Sequence, residues 1–213
     1  MIRVENLSKT LNERQVLNRI DFQLKEGDVL GIIGPNGAGK STLLSLLGGL
    51  MAPDAGIIDM GGHQIGVIPQ QLALYEELTV YENLKLFGVG MNMETTVLEN
   101  KIQQVMVDLN LLVNKDVRVK KISGGNKRRV NIGIALMTSP TCLMMDEPVV
   151  GVDYQVRSDI EKLLKQMSKD GKTLIIASHL KSFIREVSTK ILILEEGSVA
   201  YFGDVNEEVL NKL

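Results

Sequence analysis

Apolar positions recur with two different periods along this chain, and the change from one to the other outlines its architecture. Near the start, Leu17, Ile20, Phe22 and Leu24 fall close to period two and stop at Glu26-Gly27. This predicts an antiparallel strand that follows a first strand over Ile2–Leu7. "DVLGIIG" comes next, a short unbroken apolar run into glycine, as in a strand buried on both faces. "KSTLLSLLGGL" predicts a helix closed by Gly48, Gly49 and Pro53, and "GIIDM" and "IGVIPQ" predict two more short strands. From Thr79 the period lengthens. "TVYENLKLFG" and "METTVLENKIQQVMVDLNLL" read as helices, the second with Val97, Ile102, Val105, Met106 and Leu109 on one stripe. A helical lobe is therefore expected over about residues 71–138. Strand and helix alternate after it: "TCLMMDEP", a helix over 153–169, "KTLIIASH", a helix over 180–187, "KILILEEG", "SVAYFG" and a last helix. That alternation predicts a mainly parallel sheet in an α/β core.

A chain of 213 residues suits one domain of this kind with a small lobe. It has no Trp and only 4 Tyr and 4 Phe, so the core must be aliphatic and rich in Met. A net charge of −2 argues against a sequence-independent nucleic-acid binder, which would carry a basic excess. The single cysteine, Cys142, lies inside an apolar run and reads as a buried small hydrophobe, with no disulfide partner in the chain. This usage fits a reducing compartment. "MIRVENLSK" carries no apolar signal segment, and "LLSLLGGLMA" is shorter than the roughly 20 residues that cross a bilayer. Any membrane role is expected to come through a partner.

Candidate chemistry begins at residues 34–42. "GPNGAGKST" fits G-x-x-x-x-G-K-[ST] and sits between a buried strand and a helix, where a phosphate cradle has to be. Glycines 34, 37 and 39 let main-chain N–H groups wrap a phosphate, and the helix start adds its positive end. The nucleotide-binding segment is taken as Asn36, Gly37, Ala38, Gly39, Lys40, Ser41 and Thr42. Lys40 would reach the β- and γ-phosphates, Ser41 would hold Mg²⁺, which prefers oxygen ligands, and Thr42 would add a phosphate contact.

"CLMMDEP" ends an apolar strand with Asp146-Glu147. Ligands of open α/β sheets sit at strand ends. Adjacent carboxylates there diverge, so Asp146 is a candidate for Mg²⁺ and Glu147 for polarising an attacking water as general base. Without the phosphate loop the same pair would read as an exposed acidic turn before Pro148. A second anion device lies at "KKISGGNKRRV", residues 120–130, where Ser123, Gly124 and Gly125 open a helix that Ser123 caps. The run Lys127, Arg128, Arg129 is expected to form a solvated face, the alternative being contact with a partner or phosphate.

Taken together, these motifs resemble the ATP-binding cassette (ABC) ATPases, in particular the nucleotide-binding subunit of a transporter. The resemblance runs from about residue 2 to 208 through six motifs in the family's order: "GPNGAGKST", Gln70 at the end of "IGVIPQ", "ISGGNKRR", "CLMMDEP", "GVD" with Asp153, and "SH" with His179. It implies a P-loop NTPase, RecA-like α/β core over 1–70 and 139–213 with an N-terminal antiparallel β subdomain. It also implies a helical subdomain over about 71–138 carrying the signature, all within one domain of 213 residues. Further implications are MgATP hydrolysis and head-to-tail pairing with a second cassette, identical or related. In that pairing Ser123, Gly124 and Gly125 of one subunit would cover the γ-phosphate on the other's phosphate loop. By the same resemblance Gln70 would sense γ-phosphate, Mg²⁺ and water, and His179 would contact the γ-phosphate. Asp153 would reach across the dimer as well as capping its helix. A transmembrane permease would dock beside Gln70, on "QQLALYEELTVYENL", placing the chain at the cytoplasmic face of a membrane. "ALYEELTVYENLKLFG", "SGGNKRRVNIGIALM" and "DEPVVGVDYQVR" are similar to exporter-type cassettes.

The chain departs from the family at the base. Leu11 stands where an adenine-stacking aromatic is expected, so adenine would rest on Leu11 and Val16, with weaker affinity and looser base selectivity. Asn126 and Val149 replace a common Gln and a Ser or Thr. Three competing functions remain on the sequence: a soluble cassette acting on ribosomes or DNA, a GTP switch, and a non-hydrolysing module. The first is disfavoured by the single cassette and acidic balance, and the second because "VNKDV" sets its Asp one place early for guanine. The third is disfavoured by the complete set of hydrolytic residues.

Overall fold

The computed structural model describes residues 1–211, with no side-chain account of Asn211. The period-two opening folds as a hairpin in which β1 (Ile2–Leu11) pairs antiparallel with β2 (Arg14–Leu24). Both strands are longer than the apolar pattern alone marks. Asn12 and Glu13 join them with φ of 49° and 63°, and a turn with both central residues left-handed matches the twist of paired strands. Strand β4 (Ala55–Asp59) adds to the other edge of β1 and completes a three-stranded sheet, β2-β1-β4.

The second sheet is built around β3 (Val29–Ile33), buried along its whole length. With β5 (Ile65–Ile68), β6 (Cys142–Asp146), β7 (Thr173–Ala177), β8 (Lys190–Glu195) and β9 (Ser198–Asp204) it takes the order β5-β6-β7-β3-β8-β9. Every neighbouring pair is parallel except β8 with β9. The continuous apolar runs are sorted onto two faces by the strand period. Leu30, Ile32, Cys142, Met144, Ile175 and Ala177 face the antiparallel sheet and α1 (Lys40–Leu47). Val29, Ile33, Leu143, Met145, Leu174 and Ile176 face the opposite layer, which includes α5 (Tyr154–Lys169) and α6 (Lys181–Val187). Cys142 is fully buried on the first face, and that burial pushes its thiol up to about 12.

Between β5 and β6 come α2 (Val80–Gly90), α3 (Thr95–Asp108) and α4 (Gly124–Leu136). Helix α2 starts with a reciprocal cap. Thr79 Oγ1 accepts from the Glu82 N–H at 3.1 Å, and Glu82 Oε2 accepts from the Thr79 N–H at 2.8 Å. In α3 the apolar stripe is corrected by one residue. Val97 is 53% exposed, and Leu98 takes its place beside Ile102, Val105, Met106 and Leu109. Leu98 is four residues before Ile102 and so shares its face, whereas Val97, one residue earlier, points about 100° away from Leu98 at 3.6 residues per turn. A short helix, α7 (Glu207–Asn211), ends the described chain.

Candidate active site

Parallel pairing alone brings four distant segments to the carboxyl end of the sheet. Ile32 is in register with Ala177, Ala177 with Asp146, and Met145 with Ile68. The residues that follow these strands are the phosphate loop, Glu147, Ser178-His179 and Pro69-Gln70, and they emerge side by side.

Packing on both flanks forces the shape of the phosphate loop. A Cβ at Gly34 would lie 2.3 Å from the Leu194 carbonyl oxygen of β8. One at Gly39, whose φ is 102°, would lie 2.6 Å from Leu17 Cδ2 and 2.9 Å from the Val16 carbonyl oxygen of β2. Only glycine fits so close an approach with that backbone. Lys40, the first residue of α1, is 8% exposed and its Nζ donates to the carbonyls of Gly34 at 2.7 Å and Pro35 at 3.0 Å. The ammonium is thus held inside the curl of the loop. Ala38 is buried, and its N–H donates to the Pro35 carbonyl at 3.2 Å. Its expected place in the nucleotide segment comes out as part of the loop's own turn, outside the lining of the cleft.

A cleft of about 610 Å³ opens over this loop. Asn36, Gly37, Gly39, Lys40, Ser41 and Thr42 line its floor, Leu11 and Val16 one end, and Gln70, Asp146, Glu147 and His179 the other. Gly34, Pro35 and Val150 complete the lining, and of these Pro35 and Val150 were not among the expected residues. Ser123, Gly124, Gly125 and Asp153 are not part of it. Ser123 Oγ caps α4 by accepting from the Asn126 N–H at 3.2 Å, and Asp153 caps α5 by accepting from the Val156 N–H at 2.9 Å. The segment "VNKDV" is also away from the cleft. It lies along α2, where the carbonyls of Lys115 and Val117 accept from the N–H groups of Tyr81 and Val80.

Glu147 is the most constrained side chain of the site. It is 7% exposed, and its φ of 48° places a non-glycine residue in the left-handed region, which costs roughly 1–2 kcal/mol. Its N–H donates to the Ala177 carbonyl at 2.9 Å. Its Oε2 accepts from Ser178 Oγ at 2.9 Å, and Oε1 accepts from the His179 N–H at 3.0 Å and lies 2.7 Å from His179 Nδ1. An ionised carboxylate can only accept, so this contact requires a proton on Nδ1, and the His179 side chain is 59% exposed. Ser178 gave no signal in the sequence beyond its place beside His179.

The basic run of α4 is corrected. Arg128 is only 4% exposed, while Lys127 pairs with Glu76 at 2.6 Å and Arg129 with Asp159 at 2.5 Å. Burial pulls the Arg128 guanidinium below its ordinary value, and the charges of Glu147 and Asp146 push it back up. A helical spacing shared by Gly125, Arg128, Ile132 and Ala135, all buried, was the available signal for its inward placement.

Ser41, Gln70 and Asp146 bring a hydroxyl, an amide oxygen and a carboxylate to the cleft and also line one smaller adjoining pocket together, a donor set suited to a hard cation. A main-chain cradle, an enclosed lysine and a buried, oriented carboxylate define a phosphate-loop nucleoside-triphosphate hydrolase.

Comparison with known proteins is more specific. A family model described as ABC transporter matches residues 17–150, and the chain belongs to this family. It is 36% identical to the linearmycin resistance ATP-binding protein LnrL of Bacillus subtilis (strain 168), over 95% of this chain and 69% of that protein. It is 35% identical to the Nod factor export ATP-binding protein I of Rhizobium sp. (strain N33), over 92% and 68%. Among solved structures it superposes on a nucleotide-free ATP-binding cassette from an ABC transporter with a TM-score of 0.88 at 28% identity, covering 99% of this chain and 94% of that one. It also matches a dimeric cassette in a post-hydrolysis state bound to ADP and Pi, with a TM-score of 0.84 at 26% identity and coverage of 97% and 99%. The fold is that of the cassette ATPases, and the chain is an ATP-binding, ATP-hydrolysing subunit of an ABC transporter. Among the described residues no helix is long and apolar enough to cross a membrane.

Proposed function

We propose that this chain hydrolyses MgATP as one half of a head-to-tail cassette pair that drives export through a membrane permease. The observation that carries the reading is the buried Glu147 carboxylate, fixed by Ser178 and His179 at the mouth of the cleft that holds Lys40. In this reading residues 1–70 and 139–213 form the nucleotide core and about 71–138 the helical subdomain with the signature. The main chain of the loop and Lys40 bind the β- and γ-phosphates. Glu147 accepts the proton of the attacking water, and the hydrogen bonds to both its oxygens hold the carboxylate toward that water. His179 orients Glu147 through Nδ1 and reaches the γ-phosphate with its exposed edge. Mg²⁺, held by Ser41, Gln70 and Asp146, would neutralise phosphate charge.

Ser123, Gly124, Gly125 and Asp153 lie outside the cleft of their own chain, as a site completed by a second copy requires. ATP between the two halves then favours the closed pair, and hydrolysis removes the bridge. Export is carried over from the Nod factor relatives' names, and the permease with its cytoplasmic docking from the transporter family.

Glu147→Gln removes the base while keeping the size of the side chain. The full chain with this substitution should bind MgATP, dimerise on a sizing column with light scattering, and fail to turn over. It should also bring a multi-spanning membrane protein with it from detergent-solubilised native membranes. A variant that stays monomeric with MgATP and still releases phosphate at the wild-type rate refutes the assignment.

A further inference from the structure

Arg128 stands between two ion-paired neighbours, yet its hydrogen bonds go to main-chain oxygens. Nη1 donates to the Pro69 carbonyl at 3.2 Å, and Nη2 donates to the carbonyls of Gln70 at 3.2 Å and Glu147 at 3.1 Å. A buried charge is costly unless its donors are satisfied, and space filling alone would be met by an apolar side chain such as Ile132 on the same helix. The planar fork of a guanidinium suits a different task, joining two chain segments at a fixed spacing.

Those two segments need joining. The ladder between β5 and β6 runs to the pair Ile68 and Met145. Pro69-Gln70 and Glu147 follow just beyond it, where sheet hydrogen bonds no longer set their separation. Apart from Arg128, the Glu147 carbonyl accepts, among the described residues, just a long bond, 3.4 Å, from the Val150 N–H. Its left-handed backbone needs to be held from outside.

We propose that Arg128 is a positioning residue for hydrolysis. It clamps the loop of Gln70 to the main chain of Glu147 and ties both to the helix that begins with the signature. This rests on the roles given above to Gln70 and Glu147. Ser123, Gly124 and Gly125 open the same helix about one turn earlier, so a shift of the signature toward a second copy's nucleotide also moves the clamp on the chain's own site.

The test compares steady-state ATPase of the full chain with Arg128→Gln, Arg128→Lys, Arg129→Gln and Glu147→Gln, with thermal unfolding followed in parallel. Arg128→Gln should lower kcat about 100-fold, the scale of a small misplacement of a reacting group. KM for ATP should stay within about threefold, because the phosphate loop is untouched. Arg128→Lys should recover part of kcat, since an ammonium reaches fewer of the three carbonyls. Arg129→Gln, which breaks the Asp159 pair and a long bond to Asn126 Oδ1, should keep kcat within about twofold. A lower unfolding temperature with wild-type kcat per folded molecule would mean a merely structural role and overturns the proposal. If Arg128→Gln does not fold, Arg128→Lys decides. A kcat about fivefold down with KM intact supports the clamp, and wild-type kcat overturns it. An active Glu147→Gln removes the reading of Glu147 and the proposal with it. An inactive Glu147→Gln beside a fully active Arg128→Gln removes the proposal alone.

Discussion

The two glycines of the signature look equivalent in the sequence and are not equivalent in the fold. A Cβ placed on Gly125 would lie 2.5 Å from Val156 Cγ2, 3.0 Å from Cγ1 and 3.1 Å from Cβ of that residue in α5. Val156 is buried and β-branched, so it has little rotamer freedom to move aside in a helix. On Gly124 the nearest atom outside the helix would be the Gly151 carbonyl oxygen, 4.0 Å away. Both residues occupy the first turn of α4, so replacement by alanine brings each a similar gain in helix propensity, about 0.5–1 kcal/mol. That gain cancels in the comparison, and the overpacking at Gly125 remains, about 1–3 kcal/mol. Gly125→Ala should therefore be less stable than Gly124→Ala by that amount, or by about 2–4 °C in Tm per kcal/mol for a chain of this size. Urea unfolding of the nucleotide-free chain measures the gap. Adding Val156→Ala should close most of it, as a coupling of about 1–2 kcal/mol in the double-mutant cycle. Equal midpoints for the two alanine variants, or no coupling with Val156, would refute the packing argument.

Cys142, buried with its thiol pushed up to about 12, should resist maleimide at neutral pH and react only after denaturation; rapid labelling of native chain would place it wrongly. Asp54 is held below its ordinary value of 3.8 first by the hydrogen bond from Lys9 and then by the Thr10 N–H. Its contribution to stability is thus present above the ordinary value and is lost as pH falls through the lowered one. Asp54→Asn should flatten the acid limb of an unfolding-versus-pH curve below about pH 4, and an unchanged limb would contradict it. With Leu11 and Val16 as the apolar end of the cleft, ATP and GTP should bind within about tenfold of each other. Leu11→Tyr should tighten ATP by about 1 kcal/mol, read by nucleotide titration, and a wild-type preference of several hundredfold for ATP would exclude this account.

Sequence patterns placed the parts that depend on neighbours in the chain. The phosphate loop was legible because its working groups are consecutive main-chain N–H groups, three glycines and a helix start. The caps at Ser123 and Asp153 were legible for the same reason, each acting on an N–H three residues ahead. The buried strands were legible as unbroken apolar runs, because both faces of the sheet are covered. Periodicity failed where two candidates were one residue apart, and packing chose Leu98 over Val97.

Tertiary structure alone decided how the site is assembled. Glu147 meets Ser178 and His179 across 31 and 32 residues because β6 and β7 pair in one parallel register, which no local pattern records. Arg128 was indistinguishable in composition from Lys127 and Arg129. Helical spacing with Gly125 and Ile132 marked its face, and the fold gave the inward place its purpose, because main-chain carbonyls past the end of a sheet ladder need donors and a guanidinium on the facing helix supplies them. The sequence by itself determined the chemical groups and their local geometry. Their convergence came from long-range strand pairing and burial, the part of the free energy that depends on residues far apart in the chain.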